Sequence, residues 1–189
     1  MQCGASWRGA ALGVVLLLAS CAGTVRPRVE PSAPPGQGSA LSAVPSRELA
    51  LDVSEPAGAS GGRREAAFGV SLGDVRFDPP PREVMRRAVA AELEAAGHRL
   101  SPAGRPFRVR IERFEGRTDT TPLYWDVVGV VAISVGVPGA EARYQATCEG
   151  RTWVNPSEAL FAEVLSRCVD DVVGQLRSDV RLAEALAGG

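Results

Sequence analysis

Four cysteines and a single histidine hold most of the reactive chemistry this chain offers. The cysteines are Cys3, Cys21, Cys148 and Cys168, the histidine is His98, and all 21 basic residues are arginine. A thiolate is a nucleophile, a metal ligand and a disulfide partner, so the setting of each cysteine matters. With one histidine, a His-rich metal site or a Ser/His/Asp triad is excluded or crippled. Without lysine there is no Ser-Lys dyad, no phosphate-loop lysine and no Schiff base. His98 follows the helix stop Gly97 and reads as a polar boundary residue. Asp170 and Asp171 fall on the exposed side of a helix with no carboxylate cluster beside them, which reads as a solvated face. No catalytic, metal-binding or cofactor-binding residue is assigned, and no cofactor is expected.

Cys21 has the most telling surroundings. Arg8 precedes an apolar run from Ala10 to Leu18, and Ala19-Ser20 leads into the cysteine. A basic start, a short apolar core and small residues form the layout of a secretory signal. The run is too short to span a bilayer as a mature helix. The ending Leu18-Ala19-Ser20-Cys21 resembles the lipobox of bacterial lipoproteins. In that class the thiol takes a diacylglycerol, the signal is cut just before the cysteine, and the new amino group is acylated with a fatty acid such as palmitate. The resemblance makes residues 1–20 a removed signal peptide, Cys3 included, and Cys21 the lipidated residue. Several chains hold firmly, because each buried methylene contributes roughly 0.8 kcal/mol. Ala22 follows the cysteine where Asp would favour retention at the inner membrane. The resemblance therefore implies the outer membrane, with the protein facing the periplasm.

Composition fits one domain after the signal. The net charge of the whole chain is -1, and no block of like charge suggests nucleic acid. Residues 21–44 are rich in Ala, Gly, Pro, Ser and Val, with few large apolar side chains, and are expected to form a flexible tether behind the lipid. As a coil, such a segment has an r.m.s. span of about 25 Å. A single periplasmic domain is expected over 45–187.

Within that domain, Glu48 to Val53 alternates as a first strand. Pro81 suits the first turn of a helix over Arg82 to Ala96, with Val84, Met85, Ala88, Val89 and Leu93 on one face and Gly97 as the stop. Phe107 to Arg113 reads as a strand. Two further runs meet at Pro138-Gly139. Paired antiparallel with Val137 opposite Ala140, they set Ile133 against Tyr144 and Gly129 against Cys148, with one face apolar throughout. The last helix takes Asn155 as N-cap, Pro156 in its first turn and Glu158 at capping-box spacing. Leu160, Val164, Cys168, Val172 and Leu176 step by four, and Ser178-Asp179 precedes a short final helix. The expected fold is α+β: one mixed, mainly antiparallel sheet with two helices on one face, in the order β-α-β-β-β-α. A helix crossing between neighbouring first and second strands would make that pair parallel.

Strand parity and helical stripe direct Cys148 and Cys168 to the same layer. In an oxidising compartment they could join, while two buried free thiols are the other reading. The opposite sheet face is less polar than a free face should be. Strict alternation places Phe114, Val128, Val130 and Ala132 there. Local packing under the chain and a docking surface for a partner both account for them. Trp125 and Trp153 fall near one end of the hairpin, as core closure or as a binding rim.

The order of elements resembles the YajG-like family of bacterial lipoproteins. The matching segments are the lipobox, the strand around Leu49 to Val53, the helix ending Ala95-Ala96-Gly97-His98, the strand Phe107 to Phe114, the hairpin and the helix after Asn155-Pro156. The likeness implies an outer-membrane-directed lipoprotein and brings no catalytic residue. Only the lipid-bearing Cys21 carries over. The functional expectation is a non-enzymatic, lipid-anchored interaction or scaffolding module. It touches the membrane through its N-terminal lipid and meets an envelope protein or a second copy of itself, with no nucleic acid. The alternative is an auxiliary lipoprotein of an envelope transport system of the ABC or lipid-trafficking kind, which would need an apolar groove.

Overall fold

The computed structural model describes residues 23–31 and 38–188. Cys21 and the signal lie outside them. The strands are β1 (Glu48–Ser54), β2 (Ser60–Gly61), β3 (Arg63–Glu65), β4 (Ser71–Asp74), β5 (Arg99–Leu100), β6 (Arg105–Thr120), β7 (Trp125–Val137) and β8 (Ala140–Thr152). The helices are α1 (Pro81–Ala95), α2 (Glu158–Arg177) and α3 (Val180–Ala187). The fold is α+β. A six-stranded mixed sheet runs β5-β1-β6-β7-β8, and β2 pairs with β6 beyond the end of β1. β1 and β6 are parallel, as the intervening helix requires, while β6, β7 and β8 form an antiparallel meander. β3 and β4 make a separate hairpin.

The β7–β8 register is the expected one from Val137 opposite Ala140 to Asp126 opposite Arg151. It holds because a slip of one residue would send Val131, Ile133 and Val135 to the wrong face. α1 starts on Pro81 and stops at Gly97, whose φ is +92°. The His98 amide donates to the Leu93 carbonyl at 3.0 Å and the Gly97 amide to that of Glu94 at 3.0 Å, the two bonds of a Schellman stop. α2 buries Phe161, Val164, Leu165, Cys168, Val169, Val172, Val173 and Leu176. Each of the Val, Leu and Phe side chains contributes about 1.5–3 kcal/mol on burial.

α2 lies close to the sheet because the strands beneath it carry glycines. A Cβ on Gly150 would stand 2.6 Å from Cγ2 of Val164, and one on Gly129 would stand 3.1 Å from Cγ1 of the same residue. Alanine at Gly150 would push the helix outward.

The structure differs from several sequence expectations, Pro156 and Glu158 among them, since one precedes the cap of α2 and the other is its first residue. Asn155 does not cap α2. Ser157 does, accepting from the Leu160 amide at 3.3 Å. Phe114 is not on the outer face. The β6–β7 register shifts between Ile111 and Arg113, and this bulge returns Phe114 to the helix side opposite Val131. There Phe114 is fully buried, with its ring edge-on to Phe77 at 5.0 Å. Finally, the described parts of the 21–44 tether are packed. Val25, Val29, Leu41 and Val44 are buried in the core. Low apolar content suggested a free coil, but these four side chains are enough when the segment runs beside α2. The Arg26 amide donates to Oε1 of Glu158 at 2.8 Å, and the Glu30 amide to Oγ of Ser166 at 3.2 Å.

Candidate functional site at the loop end of the sheet

Cys148 on β8 and Cys168 on α2 form a disulfide, with Cα atoms 5.6 Å apart. The bond ties the sheet to its covering helix and lies inside the layer. Among the described residues no group of three metal-ligating side chains gathers, Asp170 and Asp171 included. His98 is buried beside residue 47, whose amide donates to Nδ1 at 3.3 Å. Burial pushes the imidazole below its ordinary value. The Leu41 backbone acts the other way, and the charge of Arg47 adds to the lowering. His98 is thus a neutral interior strut. Tyr144 donates to Oδ2 of Asp179 at 2.8 Å, and burial together with that bond holds the phenol protonated well above its usual range. Asp179 also caps α3 through the Leu182 amide, so one carboxylate fastens the last helix to β8.

Val128, Val130 and Ala132 do lie on the outer face, yet little of them reaches solvent. They form a narrow central row. Arg117, Glu115 and Arg113 stand opposite them on β6, and Glu149, Thr147 and Gln145 on β8. Long polar side chains cover apolar neighbours with their stems while their heads stay wet. The face presented outward is therefore charged. Its ion pairs include Arg113 with Glu115 at 2.6 Å and Arg143 with Glu112 at 3.0 Å. Two clefts on this side are lined by Arg63, Glu65, Glu115 and Arg117, and by Arg110, Glu112, Glu141 and Arg143.

The other distinctive surface is the end of the sheet where three loops meet. The first is the β3–β4 turn, with Phe68 at φ +64° and 96% exposed and Val70 also exposed. The second is the β6–β7 turn, in which Oγ1 of Thr121 accepts from the amides of Leu123 and Tyr124. This holds Leu123 outward at 76% exposure. The third follows β8 and exposes Trp153, at 72%, and Val154. Side-chain bonds bring the loops together. The hydroxyls of Thr118 and Thr120 donate to the Glu65 carbonyl at 2.9 and 2.7 Å. Tyr124 and Trp153 meet edge to face at 5.8 Å. Arg151 lies 3.8 Å over the Tyr124 ring and pairs with Asp126, and its hydrogen bond holds that carboxyl below the usual carboxylate range.

Gly23, the first described residue, lies at this same end. Its amide donates to the Leu72 carbonyl at 2.8 Å. The buried Arg64 donates to the Gly23 carbonyl at 3.2 Å and to Oδ1 of Asn155 at 2.8 Å. The sequence placed Trp125 and Trp153 near one hairpin end but missed Phe68, Val70, Leu123 and Arg64. The β3–β4 hairpin has no clear alternation to reveal it.

No protein-family profile matches this chain, and no curated protein matches it. Among solved structures, one described as an uncharacterized protein aligns over 82% of this chain and 97% of its own, with 11% identity and a TM-score of 0.48. The minor lipoprotein from Acinetobacter baumannii aligns over 71% of this chain and 90% of its own, with 14% identity and a TM-score of 0.42. Rare lipoprotein B from Shewanella oneidensis aligns over 74% and 90%, with 14% identity and a TM-score of 0.34. Two of the three are bacterial lipoproteins. At these identities and scores, the functional reading rests on the residues of this chain. No helix among the described residues is long and apolar enough to cross a membrane.

Proposed function

We propose that this protein is a lipid-anchored module of the bacterial envelope, acylated on Cys21, held at the outer membrane and facing the periplasm. Its work in this reading is interaction or scaffolding rather than catalysis, and it uses no cofactor. The observation that carries the proposal is the ending Leu18-Ala19-Ser20-Cys21 after a short apolar run, two residues before the hydrogen-bonded Gly23. The anchor residue therefore adjoins a fixed point of the fold. The YajG-like likeness supports the same reading through the order of strand, helix, three strands and helix.

A partner protein or a second copy would meet the charged outer face of the sheet, with Val128, Val130 and Ala132 as its floor. Phe114 drops out of that surface. An auxiliary role in transport calls for an apolar groove, whereas the two clefts on the outer face combine small residues with several Arg and Glu side chains. Crosslinking in native envelopes, followed by mass spectrometry, tests the interaction role. Repeated capture of one envelope protein, or of the chain itself, through outer-face residues would support it. Crosslinks absent from that face would remove it as the partner surface.

A further inference from the structure

We propose that the loop end of the domain is a membrane seat: Phe68, Val70, Leu123, Trp153 and Val154 enter the boundary between lipid headgroups and acyl chains beside the acylated Cys21. The proposal rests on the lipid-anchor reading. Its first ground is the clustering of exposed apolar side chains. Of the six large apolar residues exposed among the described ones, these five belong to the three loops of one end, and only Val180 lies elsewhere. Single exposed apolar residues are ordinary, but a shared patch calls for a partner.

The second ground is the path of the chain. Two residues fully extended span about 7 Å. Gly23 is fixed to the Leu72 carbonyl and to Arg64, and only one residue separates it in sequence from the proposed anchor. A long tether would let the domain face any direction. A two-residue connection to this end turns it toward the bilayer and raises the local concentration of lipid around it.

The third ground is chemical. A tryptophan and a tyrosine in contact suit the interface, where an aromatic body meets acyl chains and a polar tip meets headgroups. The charges at this end are the pairs Arg151 with Asp126 and Arg63 with Glu65, together with the exposed carboxylate of Asp119, and they form no basic cluster. The occupant they fit is the bilayer interface itself, with no requirement for an anionic headgroup.

The test uses the mature lipidated protein carrying Trp125→Phe, so that Trp153 is the one tryptophan left after Trp7 departs with the signal. It is reconstituted into phosphatidylethanolamine–phosphatidylglycerol vesicles. Trp153 emission is read against lipids brominated near the top of the acyl chain and against aqueous iodide. The expected result is quenching by bromolipid and shielding from iodide, both reduced when Phe68→Ser and Leu123→Ser are added. Protein that carries acyl mass and floats with vesicles, yet leaves Trp153 open to iodide and untouched by bromolipid, would overturn the seat and spare the anchor. A chain without acyl mass would overturn both.

Discussion

Arg64 donates from Nη2 to Oδ1 of Asn155 at 2.8 Å, so the Asn155 carboxamide oxygen accepts from the guanidinium and not from the first turn of α2. The same guanidinium reaches the Gly23 carbonyl, so one buried cation fastens the chain's first described residue to the loop before α2. Ser157, two residues later, takes over the cap.

Two substitutions separate these roles. Ser157→Ala should cost about 0.5–2 kcal/mol, as loss of an N-cap does. Asn155→Ala should instead leave the start of α2 intact and loosen the segment 23–31, since it leaves Nη2 of the buried Arg64 without this acceptor. Hydrogen exchange reads both: faster exchange at the first turn of α2 for Ser157→Ala, and at Gly23 and Val25 for Asn155→Ala. Equal exchange at Gly23 and Val25 in wild type and Asn155→Ala would count against the strut.

Much of the fold was legible in the residues, for identifiable reasons. Val131, Ile133 and Val135 opposite Ala146, Tyr144 and Ala142 left one workable register, and the structure has it. Stripe and parity together brought Cys148 to Cys168. The outer face was misread at one residue because Glu112-Arg113 inserts a bulge, and strict alternation carried past it assigns Phe114 to the wrong side. The tether was misread for a different reason. Composition counts apolar residues but does not see the groove beside α2 that receives Val25 and Val29. The loop end was missed because its exposed residues sit far apart in sequence and are brought together by the fold, through contacts such as Thr118 and Thr120 with Glu65 and Tyr124 with Trp153.

The disulfide closes a separation of 20 residues and, in the chain-entropy account, contributes about 3 kcal/mol. Reduction, or Cys148→Ser, should lower the melting temperature while leaving a folded domain. Peptide mapping of periplasmically expressed protein without reductant should recover the two cysteine peptides linked. Recovery of both thiols alkylated would remove the bond from the account.

His98 predicts an acid-side loss of stability. Burial depresses its folded pKa below the unfolded value of about 6.5. The unfolded chain therefore takes up the proton first. The stability His98 protects is whole above that value and falls as pH drops through the folded pKa. Melting temperatures measured from about pH 7.5 down to about pH 5 should decline, and His98→Gln should flatten this part of the profile. Parallel profiles for the two proteins would assign the acid loss to other groups.

The outer face predicts an effect on folding as well as on binding. Val130 is 6% exposed, so the long side chain of Val130→Arg must displace the neighbours that cover it. The cost should exceed the roughly 0.5 kcal/mol of an ordinary surface change and reach about 1–3 kcal/mol. Glu149→Gln, on the flanking row, should leave melting unchanged. A Val130→Arg domain as stable as wild type would mean that the row is not covered by its flanking side chains.

The lipid on Cys21 is the claim on which the orientation of the whole molecule depends. Intact-mass measurement of protein extracted from envelopes in detergent tests it most directly. The expected mature chain begins at Cys21 and carries the added mass of a diacylglycerol and an amide-linked acyl group, and the Cys21→Ser chain carries neither. A mature protein beginning at another residue, or one beginning at Cys21 with no acyl mass, would contradict it.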